Sequence, residues 1–169
     1  MTRPKSLAFA SFLGVAALGL TAYSAAASPA ATKEARVQTI SVTTHPTNLL
    51  FISPSGQAFQ FPTGPLEPGT EVLASDSLTQ EGAAVGDDYE HCIISFRVNA
   101  LCDDTAVFVG GDQLRVSYTF QWPSTGPLTS LSGEIIGGTG SYQGARGEFH
   151  QVANPDGSFQ LTGTFTTTS

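Results

Sequence analysis

After the first 36 residues, apolar and polar side chains alternate with a period of two, and the alternation is broken by clusters of Gly, Pro, Asn and Asp. This is the pattern of half-buried strands separated by turns. It predicts eight strands: Val37–Thr43, Glu71–Leu78, Glu90–Val98, Asp103–Val109, Gln113–Gln121, Leu128–Ile136, Ala145–Val152 and Ser158–Thr166. Gly110-Gly111-Asp112, Pro123 to Pro127, Gly137 to Gly144 and Asn154-Pro155-Asp156-Gly157 read as the turns between them. The stretch from Pro46 to Gly69 holds six further prolines and glycines between its ends and reads as a long kinked connection, with a short strand near Phe59–Phe61. No helical periodicity follows the N-terminal segment. Eight short strands joined by short turns predict an all-β antiparallel barrel or sandwich, and closure into a barrel would leave no edge exposed.

Parity along each strand names the inward side chains. Leu114, Val116, Tyr118, Phe120 and Trp122 share one face, and Arg115 lies on the other. Cys92, Ile94, Phe96 and Val98 form a second apolar face, and Phe159, Leu161 and Phe165 a third. Val72, Ala74 and Leu78 share theirs with Asp76. An acid at apolar parity is either a ligand-facing group or the sign of a slipped register that turns Leu73 inward, and periodicity alone leaves both open.

The first 27 residues do not fit this pattern. Arg3 and Lys5 precede an apolar run from Leu7 to Leu20, and Ala25-Ala26-Ala27 follows. That is the layout of a secretory signal peptide, with a run shorter than the roughly 20 residues a membrane span needs. The domains expected are a signal peptide at 1–27, a flexible lead-in at 28–36 and one barrel domain at 37–169, in a secreted, extracellular protein. Export makes the two cysteines, Cys92 and Cys102, a candidate disulfide. A hairpin turning at Asn99-Ala100 would set Cys92 opposite Val107, so the bridge then requires a wider loop, a bulge or a third strand. His45, His91 and His150 are scattered, which leaves no metal-ligand spacing, and no metal site is expected. Only 12% of residues are charged and the net charge is −7. Without a basic cluster the chain does not read as a nucleic-acid binder.

Gly137 to Glu148 reads GGTGSYQGARGE. With Asp76-Ser77-Leu78 and Val85-Gly86 upstream, it resembles the signature of the allene oxide cyclase and dirigent barrels, and the cysteine pair and the Gly110-Gly111 turn are similar to secreted bacterial members of that group. The resemblance runs from about Gly69 to Phe165. It implies an eight-stranded antiparallel barrel with a mostly apolar pocket, often a trimer. In that family, cyclases and dirigent proteins hold an apolar substrate in the barrel mouth beside a few acids, an Arg and a Tyr. Carried over, the D-x-L acid is Asp76 and the A-R-G arginine is Arg146; Ser141 stands where some dirigents have an acid.

The candidate site is therefore Asp76 as general acid/base and Arg146 as an anion stabiliser, expected to meet at one end of the barrel. Tyr118, Tyr142, Phe120 and Trp122 are the candidate ligand-binding residues. A structural Asp76–Arg146 ion pair and a solvated Arg146/Glu148/His150 face are the alternatives. Three functional readings stand: a cofactor-free isomerase/cyclase or stereochemical guide for a small apolar substrate, a non-catalytic carrier of hydrophobic metabolites, and an interaction module whose barrel is filled. No cofactor is expected. The partners expected are a small hydrophobic molecule and other copies of the chain, as a dimer or trimer, with no stable membrane insertion after cleavage.

Overall fold

The computed structural model describes residues 35–96, 99–122 and 128–168. The expected signal peptide, most of the lead-in, Arg97 and Val98 lie outside the described residues. The strands are β1 (Ala35–Ile52), β2 (Ala58–Phe59), β3 (Glu71–Gln80), β4 (Ala83–Ile94), β5 (Asn99–Phe108), β6 (Gln113–Gln121), β7 (Ser130–Gly138), β8 (Arg146–Ala153) and β9 (Phe159–Thr168), with one 3-10 turn at Gly140–Tyr142. From β3 to β9 each strand pairs antiparallel with the next. β1 pairs with β3 along one half and with β9 along the other, which closes the sheet. Apart from the two-residue β2, eight antiparallel strands thus form a closed barrel, one of the two architectures the alternation allows and the one the resemblance implies. No helix among the described residues is long and apolar enough to cross a membrane.

Three elements depart from the expectation, the first being β4, which begins at Ala83 and not at Glu90. β1 does not end before Pro46 but runs on to Ile52. Pairing with β9 stops at Thr44, so the missing N–H of Pro46 deprives no ladder on that side, and a bulge between Pro46 and Asn48 absorbs the irregularity. The β4–β5 hairpin closes between Ser95 and Asn99 instead of turning at Asn99-Ala100, with the Ser95 N–H donating to the Asn99 carbonyl at 2.8 Å. That register sets Cys92 directly opposite Cys102, with Cα atoms 4.1 Å apart, and the two form a disulfide. Neither a wider loop nor a third strand is needed.

One half of the barrel is plugged. Leu78, Leu114, Ile135, Phe149 and Phe165 are buried there, each contributing about 1.5–3 kcal/mol on leaving water. The void left among them measures only ≈ 20 Å³. The GGTG segment closes the same end. The Gly138 backbone lies against the Gln113 carbonyl where a Cβ would collide, and Gly140 adopts φ 56° beside the Asp112 carboxylate. Thr139 N–H donates to the Gln113 carbonyl at 2.9 Å and Ser141 N–H to Asp112 Oδ2 at 3.1 Å. Glycine at both positions is what lets the turn after β7 sit on the turn before β6.

Candidate functional site

The other half of the barrel is hollow. A cavity of ≈ 350 Å³ opens where β1, β4, β6 and β8 end and β3, β5, β7 and β9 begin. Its walls are apolar and aromatic. Successive inward positions of β6 and the residue after it place Tyr118, Phe120 and Trp122 in a ladder, with ring centroids 6.2 Å and 5.7 Å apart. Leu128, Leu131, Phe159, Val72 and Leu49 complete the wall. The floor, above the plugged half, is acidic.

Four carboxylates form that floor: Asp76 on β3, Asp88 and Glu90 on β4, and Asp104 on β5. The pairing makes this unavoidable, since Asp76 stands directly opposite Asp88, and Glu90 directly opposite Asp104. Like charges so placed repel across neighbouring strands. No Lys, Arg or His among the described residues lines the cavity to offset them. Protons do so instead.

Burial, then the Asp88 charge, pushes Asp76 up to about 6, while the Thr44 hydroxyl and nearby His45 act in the opposite sense. The Gln151 amide donates to Thr44 Oγ1 at 3.4 Å, which orients that hydroxyl. Burial pushes Glu90 up to about 7 despite the hydrogen bond it accepts from Tyr118. Burial also raises Asp88 and, more strongly, Asp104, and these two carboxyls hydrogen-bond to one another. Such a bond requires at least one of them to hold a proton, so the pair does not carry two full charges. Tyr118 is raised by burial and by Glu90, and stays a neutral donor.

Of the residues singled out in the sequence, Asp76, Tyr118, Phe120 and Trp122 come together in this cavity. Arg146 and Tyr142 do not. Both sit at the plugged end, where β8 begins. Tyr142 packs on Phe108 and Phe165 at 5.1 and 5.8 Å between centroids. Arg146 is exposed on the same outward face as Glu148 and His150, and its guanidinium donates to the carbonyls of Ala145 (2.7 Å) and Ile136. It braces the A-R-G turn and makes no pair with Asp76. Arg115 is exposed, as its parity requires. Asp88, Glu90 and Asp104 were not singled out in the sequence. Their signal was the parity of Cys92 and Cys102, which also turns Glu90, Asp88 and Asp104 inward.

Among families and curated proteins, none matches this chain. Solved structures with the same fold include a pyocyanin demethylase, 20% identical with a TM-score of 0.55 over 73% of this chain and 98% of that one. A pterocarpan synthase dirigent protein is 16% identical, with a TM-score of 0.57 over 79% of this chain and 84% of that one. A heme-binding cyclase that catalyses a cycloaddition during neoabyssomicin biosynthesis is 14% identical, with a TM-score of 0.54 over 80% and 68% of the two chains. At these identities the likeness establishes a shared barrel fold, the one seen in dirigent and cyclase-like proteins.

Proposed function

We propose that the chain is a secreted barrel that takes a small apolar substrate into its open half and acts as a cofactor-free isomerase/cyclase or stereochemical guide. The observation that carries this reading is an aromatic-walled cavity, of the size small molecules fill, floored by carboxyls poised near neutrality. General acid–base catalysis works best with pKa values close to the working pH. Between about 6 and about 7, Asp76 is largely ionised while Glu90 largely keeps its proton. An isomerisation that removes a proton at one atom and returns one at another uses such a pair, Asp76 as base and Glu90 as acid. The ring ladder fixes the substrate's orientation, which shapes the product's geometry by proximity. The fold shared with dirigent and cyclase barrels supports this, and the Cys92–Cys102 disulfide supports export. Leu73, Ile93 and Leu101, exposed at neighbouring outward positions of β3 to β5, are the surface a homo-oligomer would cover.

Trp122 is the single tryptophan of the chain and stands in the cavity wall, so its fluorescence reports occupancy. Phenolic and oxygenated-lipid probes that quench it are then incubated with the protein and their products resolved on a chiral column. The expected result is a changed product ratio, reduced about 10²-fold in rate by Asp76→Asn or Glu90→Gln with binding retained. Binding with no change of product in the unaltered protein would instead make it a carrier. Absence of any quenching ligand would overturn the reading.

A further inference from the structure

The acidic floor says more about the ligand than its apolar walls do. Asp104 is only 7% exposed and lines the cavity, yet its Oδ1 has no hydrogen-bond partner. A buried acceptor left without a donor costs about 1–3 kcal/mol, and native folds seldom leave one. Here the missing donor has to come from the cavity. The floor also gathers Asp76, Asp88 and Glu90 around Asp104, with no basic residue among the described residues lining the same space.

We infer that the ligand is an apolar organic cation that carries an N–H, a protonated amine or protonated nitrogen heterocycle on an aromatic body, seated with its N–H donating to Asp104 beside Glu90 and its rings against Tyr118, Phe120 and Trp122. This rests on the proposed small-molecule reading and narrows its substrate class. A bare metal ion does not suit the floor, because hard cations need several oxygens converging at 2.0–2.6 Å. Among the described residues the only three candidate metal-ligating groups with ligand atoms within 4.8 Å of one another are Glu90, Cys92 and Cys102, whose sulfurs are bonded to each other. An anion meets only repulsion. A cation, in contrast, also gains from the faces of the aromatic ladder. Asp76, Asp88, Glu90, Asp104 and Tyr118 all face the ligand, with His45 near Asp76, so cation binding below about pH 7 displaces protons from the floor.

The test compares three bicyclic probes on the mature, disulfide-intact protein, read by Trp122 quenching and by calorimetry at about pH 8. They are 1-naphthylmethylammonium, its neutral isostere 1-ethylnaphthalene, and the anion 1-naphthoate. The cation is expected to bind about tenfold more tightly than its isostere, equivalent to 1.4 kcal/mol, with the anion weakest. The preference should narrow as the pH falls to about 5 and the floor takes up protons. The double variant Asp88→Asn/Asp104→Asn should cut it below about threefold and keep a cooperative melt. Millimolar magnesium should not displace the cation. Equal affinities in the unaltered protein, a preference for naphthoate, or displacement by magnesium would overturn the inference while leaving the small-molecule reading intact. No binding of any of the three would count against both.

Discussion

Glu90 gives the account its sharpest thermodynamic consequence. Its carboxyl moves from an ordinary 4.5 to about 7 on folding, chiefly because burial disfavours the ionised form. Between those values the folded protein keeps a proton that the unfolded chain has already lost. Unfolding therefore releases a proton, and stability falls as pH rises through that window, the reverse of an acid held in a salt bridge. At 1.36 kcal/mol per pH unit the full span is worth about 3 kcal/mol, fully present below about pH 4.5 and lost as the pH rises through about 7. Glu90→Gln keeps the shape and can still accept the Tyr118 hydroxyl, but removes the charge. The variant is expected to match the parent within about 1 kcal/mol near pH 4.5 and to exceed it by about 2–3 kcal/mol near pH 8, roughly 10 °C in Tm. Thermal melts followed by circular dichroism at the two pH values decide it. A variant less stable than the parent at pH 8, or parallel pH profiles, would show that Glu90 is compensated in a way the buried floor does not provide.

Arg146→Gln should lower stability by about 1 kcal/mol, through the two carbonyl contacts it gives up, without altering ligand affinity; a change in affinity measured by Trp122 quenching would restore the arginine to the site. The disulfide links cysteines that are both almost fully buried, so intact-mass analysis should show no alkylation until the protein is both reduced and unfolded. Cys92→Ser/Cys102→Ser should cost about 2–3 kcal/mol by denaturant titration, since the bridge constrains a short loop of the unfolded chain.

The sequence was most legible where a strand is regular. From Gln113 to Gln121 the alternation carries no bulge until β6 meets β7, and the face it assigns inward is the face that lines the barrel. Asp76 stood out for the same reason, as a lone acid among Val72, Ala74 and Leu78. The rest of the floor was hidden by a late strand start and a misplaced turn. With the strand taken to start at Glu90, Asp88 falls outside it, and with the hairpin set at Asn99-Ala100, Cys102 and Asp104 take outward parity. Closing the hairpin between Ser95 and Asn99 aligns the cysteines, and their shared inward parity runs back to Glu90 and Asp88 and forward to Asp104. Pro46 suggested a break because a proline's effect depends on whether a neighbouring strand needs its N–H, which only the point where β9 stops pairing reveals. Arg146 came from a motif and not from parity, and parity places it outside with Glu148 and His150.

The central claim is that the open half of the barrel is a ligand site with an acidic floor. A crystal structure of the mature protein soaked with a pool of small apolar amines, phenolics and oxygenated lipids tests it most directly. The account predicts ordered ligand density between Trp122, Phe120 and Leu131, with a donor group within hydrogen-bond distance of Asp104 Oδ1. A cavity collapsed onto its own aromatic side chains, or ligands bound only on the outer face of the barrel, would contradict it.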